Sequence, residues 1–290
     1  MDTSIQRAIE LIGEAKHIVA LTGAGISTPS GIPDYRSPKS GLWKKAEDMV
    51  EVASSLGFRR QPQRFYEWLR PLLGIIREAT PNPAHIALAQ LEAAGKLEAV
   101  ITQNIDLLHS RAGSRTVYEL HGHLREVVCP ACHYVTSAAD ALDAFMTAGV
   151  TPRCLRCHHI MKPNLVLFGD LLPRAPLRAA QQATHAADLM IVAGSSLEVS
   201  PACDLPEMAK AHGARLILLN YGATHMDDVA DVIIHDDVAE VLPRLAAPWT
   251  APRLADALAV LMAATTAPLA PLMAALDAPD ADQAGVSPAA

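Results

Sequence analysis

Apolar residues fall along this chain in two alternating rhythms. Ile5, Ala8, Ile9 and Ile12 recur at the spacing of an amphipathic helix, Gly13 weakens its end, and 17–21 follows as a short apolar strand. Further apolar runs of strand length occupy 98–102, 164–168, 188–193, 215–220 and 231–235. Helix-like segments at 84–94, 175–187 and 204–211 lie between several of them. Strands that are apolar throughout, separated by helices, predict an α/β fold whose parallel sheet is covered by helices on both faces. Two segments interrupt the alternation. Residues 38–80 are rich in Arg, Trp and Tyr and read as helical, and 124–162 carry four cysteines and read as a small inserted module. The expected domain is 1–246, followed by an Ala/Pro-rich tail at 247–290 that reads as mobile.

Composition narrows the function classes. A formal net charge of −7 and a pI near 5.9 argue against nonspecific nucleic-acid binding, which needs a basic surface. Residues 257–276 are uncharged and long enough to span a bilayer, but Pro268 and Pro271 break the run and no basic or aromatic anchors flank it. No membrane helix is expected. The charged opening, with Asp2, Arg7, Glu10, Glu14 and Lys16, is unlike a signal peptide, and the odd thiol of Cys203 suits a reducing compartment. The cytoplasm is the expected location.

The cysteines carry the strongest metal signal. Cys129 and Cys132 form one Cys-x-x-Cys pair and Cys154 and Cys157 another, with 21 residues between them. Two such turns supply four thiolates in a tetrahedron, which Zn²⁺ prefers, and leave no open position for water or substrate. The expected zinc is structural, and the chemistry must lie elsewhere. Strand 17–21 runs into Gly23-Ala24-Gly25-Ile26-Ser27, a turn that lets backbone amides approach a pyrophosphate. Alone this is weak, because Thr28 stands where the dinucleotide fingerprint has a third glycine. The stiff segment that follows, Pro29-Ser30-Gly31-Ile32-Pro33-Asp34-Tyr35-Arg36, reads as a lid over a ligand.

The run from Gly23 to Arg36 resembles the signature of the sirtuin family, the NAD-dependent protein-lysine deacylases. Further motifs occur in the family's order: Gln103-Asn104-Ile105-Asp106, His121-Gly122, the cysteine pairs, Lys162 to Asp170, Gly194-Ser195-Ser196-Leu197, and Asn220. The resemblance covers about 5–246. It implies a Rossmann-like domain with an inserted zinc module, and an activity that passes an acetyl group from lysine to ADP-ribose with release of nicotinamide.

By that resemblance His121 is the general base toward a ribose hydroxyl, and Asn104 and Gln103 contact the ribose. Ile105 and Asp106 hold the nicotinamide amide. Gly23, Ala24, Ser27, Thr28, Tyr35 and Arg36 line the phosphate and ribose region. Gly194, Ser195, Ser196 and Asn220 meet phosphate and the adenine ribose, with Asp237 and Val238 at the adenine end. An acetyl-lysine peptide is expected to add as a strand between Val166, Phe168, Gly169 and Leu197, Val199. Tyr35 replaces the family's usual phenylalanine. Relatives that remove acidic acyl groups carry Tyr-x-x-Arg, whereas here Tyr66 is followed by Leu69 and then Arg70, which favours neutral acyl groups. Removal of longer neutral acyl groups, ADP-ribosyl transfer, NAD hydrolysis and a non-enzymatic NAD- or zinc-binding module are the alternatives. No oligomeric partner is implied, and a monomer is expected.

Overall fold

The computed structural model describes residues 3–34 and 51–250, all within one compact unit that ends at Thr250. In chain order, α1 (Thr3–Glu14) leads into β1 (Ile18–Thr22) and a glycine-containing loop. Next come α2 (Ser55–Arg60), α3 (Pro62–Glu78), α4 (Pro83–Ala93), β2 (Leu97–Thr102), α5 (Leu108–Ala112) and β3 (Val117–Glu119). A second group follows: β4 (Gly122–Val128), β5 (Val135–Ser137), α6 (Ala139–Ala148) and β6 (Lys162–Leu165). The chain then returns through α7 (Arg174–Ala186), β7 (Leu189–Ala193), α8 (Leu205–Ala211), β8 (Arg215–Leu219) and β9 (Val232–Ile234), and ends in α9, over 238–250.

Six strands form one parallel sheet in the order β3-β2-β1-β7-β8-β9, as the apolar pattern predicts. Every residue of β1 and β7 is buried, so both faces are covered. Alternate residues divide between the faces with the period of two that a strand imposes. Ile18 and Ala20 pack with Ile5, Ile12, Leu88, Leu91, Leu242 and Leu245 from α1, α4 and α9. Val19 and Leu21 pack with Ala180, Leu205 and Ala209 from α7 and α8. Each fully buried Ile or Leu contributes about 1.5–3 kcal/mol, so the two layers supply most of the driving force. Helix α9 runs past 246, and Trp249 packs on the first layer beneath the Lys96 ammonium, 5.5 Å from the ring centre.

One strand sits elsewhere than the pattern suggests. The apolar run at 164–168 does not join the parallel sheet. Its first part is the end of β6, which pairs antiparallel with β4 in a separate sheet of order β5-β4-β6. The module built around the cysteines therefore spans slightly more than 124–162. An apolar run cannot by itself say which sheet will cover it. Beyond β6 the chain leaves the small sheet, and Phe168 exchanges hydrogen bonds with Ala53 and Ser55 (3.0 and 2.9 Å). Strand β3, three half-buried residues at the sheet edge, has no matching apolar run in the sequence. No helix among the described residues is long and apolar enough to cross a membrane, and the uncharged stretch at 257–276 lies outside them.

Candidate active site and zinc centre

Strand β1 lies mid-sheet, with β2 on one edge and β7 on the other, and the crevice at their C-terminal ends is where open α/β sheets bind ligands. Here the loop after β1 and the turn after β7 interlock. Gly25 N–H donates to the Gly194 carbonyl at 2.8 Å. A Cβ on Gly23 would lie 2.8 Å from that carbonyl oxygen, and one on Gly194 only 2.2 Å from the Ile26 nitrogen. Gly194 also has φ +63, a conformation that glycine adopts freely. From the other side Asn82, which caps α4, donates its amide to the Ile26 carbonyl (2.8 Å) and to Ser30 Oγ (2.9 Å). The loop is thus gripped at both ends.

Strands β1 and β2 run in register, with Thr22 beside Thr102, so polar groups gather at one level. Thr22 Oγ1 donates to Thr102 Oγ1 at 2.9 Å, and Thr102 Oγ1 accepts from Asn104 N–H at 3.1 Å. The Asn104 side-chain amide donates to the Gly23 carbonyl (3.0 Å) and to Ser27 Oγ (3.1 Å). Ser27 gives its own hydrogen to Asp106 Oδ2 at 2.6 Å, and the other Asp106 oxygen accepts from Leu108 N–H. Burial raises the Asp106 pKa, against the pull of these hydrogen bonds. Gln103 donates to Ser195 Oγ at 3.0 Å and so ties β2 to the turn after β7.

His121 stands at the start of β4, with Nδ1 2.9 Å from the Gln103 carbonyl oxygen. A carbonyl only accepts, so Nδ1 carries the proton and Nε2 keeps a free lone pair. Burial lowers the His121 pKa, which favours that neutral, basic form.

The sequence candidates thus converge in part. Gly23, Ser27, Gln103, Asn104, Asp106, His121, Gly194 and Ser195 are joined by hydrogen bonds and close backbone contacts at these strand ends, with Thr28 Oγ1 turned back onto the Gly25 carbonyl, Ala24 between the two loop glycines, and Ile105 packed against the helical cluster of Tyr66 and Leu108. Half-buried Ser196 follows Ser195, and Asn220 comes directly after β8, donating to the Gly222 carbonyl at 2.8 Å. Asp237 caps α9 by accepting from Ala239 N–H. Val238, the first residue of α9, is 4% exposed and packs its side chain in the core. Leu197 is 2% exposed, whereas Phe168 and Val199 are 45% and 40% exposed. Val166 is half-buried and Gly169 exposed. Tyr35 and Arg36 lie outside the described residues.

Sequence reasoning missed two buried histidines. His85 on α4 and His109 on α5 meet edge to face with ring centres 4.8 Å apart. His85 Nδ1 accepts from Asn82 N–H in the capping box, which leaves Nε2–H to face Ser27 Oγ at 3.4 Å. His109 Nε2 lies 2.9 Å from Thr22 Oγ1. Both sit on helix faces among alanines and leucines, where a histidine gives no sequence signal beyond its oddity.

The four cysteines form a centre of their own. All are reduced, and their sulfurs lie within 4.8 Å of one another, with three pairs at 3.4–3.5 Å. Zn–S bonds of about 2.3 Å in a tetrahedron place sulfurs about 3.8 Å apart, so the donor set fits structural zinc. The two turns match: His133 N–H bonds the Cys129 carbonyl and His158 N–H the Cys154 carbonyl, each at 2.9 Å and each histidine at positive φ.

Fold and site together define a nucleotide-binding α/β enzyme with a separate thiolate metal centre. The model of the Sir2 family matches residues 23–201, and the chain belongs to that family, the sirtuins. Among its relatives, the "NAD-dependent protein deacylase 2" of Archaeoglobus fulgidus is 45% identical over 247 residues, covering 84% of this chain and 96% of that protein. The "NAD-dependent protein deacetylase" of Thermotoga maritima is 42% identical over 238 residues, covering 82% and 95%. A solved Sir2–p53 peptide–NAD+ complex superposes with a TM-score of 0.76 at 40% identity, covering 84% of this chain and 97% of that one.

Two outcomes follow from this geometry. Chelating the zinc is expected to lower Tm by about 10 °C or more, since metal binding and folding are coupled. Unchanged melting of protein shown to be metal-free would contradict that role. Burial lowers the His85 pKa to about 4, against about 6.5 unfolded. Between those values the unfolded chain binds a proton that the folded one refuses, so stability falls with pH, by about 2 kcal/mol at pH 5. Urea unfolding at pH 7 and pH 5 should show a smaller loss in His85→Gln than in wild type. Equal losses would mean that this imidazole is not held neutral.

Proposed function

We propose that this chain is an NAD-dependent protein-lysine deacetylase that transfers the acetyl group to ADP-ribose and releases nicotinamide. The observation that carries the reading is the meeting of Asn104, Asp106 and a correctly protonated His121 at the glycine crevice. NAD, as co-substrate, supplies an anomeric carbon that the acyl oxygen attacks as nicotinamide departs. The protein's own groups do the positioning. Asp106 accepts from the nicotinamide amide and Asn104 holds the ribose. Nε2 of His121, its lone pair free, takes a proton from a ribose hydroxyl. Ala24, Ser27, Thr28 and Arg36, with Ser195, Ser196 and Asn220, take the phosphates and adenine ribose. Tyr35 screens the reacting carbon, and Asp237 meets the adenine end through its loop.

The peptide adds as a strand between Val166–Gly169 and Leu197–Val199, which reads backbone more than side chains and keeps sequence selectivity modest. The helical segment favours neutral acyl groups. Tyr66 is 1% exposed and spends its hydroxyl on the Met161 carbonyl at 2.7 Å, and Leu69 is fully buried. Arg70 spends its guanidinium on the Met146 carbonyl at 2.7 Å. The reduced cysteines and the thiol of Cys203 suit the cytoplasm.

Mass spectrometry of an acetyl-lysine peptide with and without NAD tests this reading. Deacetylated peptide, nicotinamide and acetyl-ADP-ribose are expected in equal amounts, only with NAD. His121→Ala should lower kcat roughly 10²–10⁴-fold, and a succinyl peptide should react roughly tenfold more slowly or worse. Nicotinamide release with the peptide still acetylated would replace this reading with NAD hydrolysis or ADP-ribosyl transfer.

A further inference from the structure

Beneath the crevice lies a polar chain that the mechanism above leaves unused. His109 is 2% exposed, and its Nδ1 has no hydrogen-bond partner among the described residues. A buried lone pair without a partner costs less than a buried N–H without one, so the proton belongs on Nε2. Nε2–H then donates to Thr22 Oγ1, 2.9 Å away. Thr22 passes its hydrogen to Thr102 Oγ1 (2.9 Å), and Thr102 accepts the Asn104 N–H (3.1 Å). Each donor in the sequence points toward β2, and the last acceptor grips the backbone of Asn104. The ordinary reading of such a histidine is core filling, since its ring also packs against His85. Packing alone, however, does not require a donor at Nε2, and the hydroxyls of Thr22 and Thr102 would have no reason to sit in register.

We propose that His109 is a positioning residue for the ribose-binding loop, acting through Thr22 and Thr102 to fix the Asn104 backbone. The inference rests on the ribose role given to Asn104 above. Loss of the terminal donor lets the Thr22 hydroxyl turn back toward the unfilled space. The Asn104 amide then loses its fixed acceptor, so Asn104 is held less well for turnover while the sheet stays intact.

The test measures kcat, KM for NAD and Tm in the full-length, zinc-loaded protein. The variants are His109→Leu, His109→Gln, Thr22→Val and the double variant His109→Leu with Thr22→Val, and Asn104→Ala serves as control. His109→Leu and Thr22→Val should each lower kcat about tenfold, the effect of one hydrogen bond. His109→Gln, whose amide nitrogen can stand in for Nε2–H, should recover kcat to within about threefold of wild type. The double variant should be no slower than the slower single one, because both break the same chain. Losses that multiply, a glutamine no better than leucine, or wild-type kcat in both single variants would overturn the proposal. If His109→Leu does not fold, Thr22→Val and His109→Gln decide the matter alone: slow turnover in the first with near wild-type turnover in the second supports it, and any other pair of results overturns it. Wild-type turnover in Asn104→Ala would overturn the ribose reading itself, whereas impairment confined to that control would remove only the role of His109.

Discussion

Backbone meets backbone where β1 and β7 end, and the rest of the site is arranged around that contact. With Gly25 bonded to the Gly194 carbonyl at 2.8 Å, there is no room for a side chain on either strand's exit. That closeness keeps the loop after β1 low over the sheet and leaves the crevice at the strand ends open. The parallel register of β1 and β2 then delivers Thr102, Gln103 and Asn104 to the same level, and Gln103 in turn holds His121 through its carbonyl. A site assembled this way owes its accuracy to the sheet and not to the loops that carry it.

Polar groups buried at such a level are costly unless paired, and here, His109 Nδ1 apart, those at the strand ends pair with one another. Ser27 shows the economy of the arrangement: it donates to Asp106 and accepts from Asn104, so the residues assigned to nicotinamide and to ribose share one hydroxyl. The zinc centre contributes differently. Its module meets the helical segment through the Tyr66 hydroxyl on the Met161 carbonyl, just before β6, and through the ion pair of Arg77 with Asp143 of α6 at 2.7 Å. Those contacts fix α3, whose buried Phe65, Tyr66 and Leu69 share a cluster with Leu167 of the segment after β6. Structural metal and chemistry are thus separate in kind but joined through packing.

Much of this was legible in the sequence because the strands of the parallel sheet are apolar throughout and the cysteine spacing admits few readings. The glycine loop, Asn104 and His121 were legible only as motifs, since neither residue type is unusual in a chain with 12 histidines. The allocation of 164–168 was not legible, because periodicity reports burial and not partners. His85, His109, Thr22 and Thr102 escaped notice because each looks like an ordinary helix or strand residue, and only the register of neighbouring strands brings them together.

If the contact at Gly194 shapes the cofactor crevice, a side chain placed there must weaken NAD binding. Isothermal titration of NAD into Gly194→Ala, with zinc content and melting recorded alongside, tests it most directly. A Cβ placed 2.2 Å from the Ile26 nitrogen must push the two exits apart, so NAD affinity is expected to fall at least about a hundredfold, the equivalent of roughly 2.7 kcal/mol, in a protein that still binds zinc and melts cooperatively. Wild-type NAD affinity in that folded variant would contradict the account.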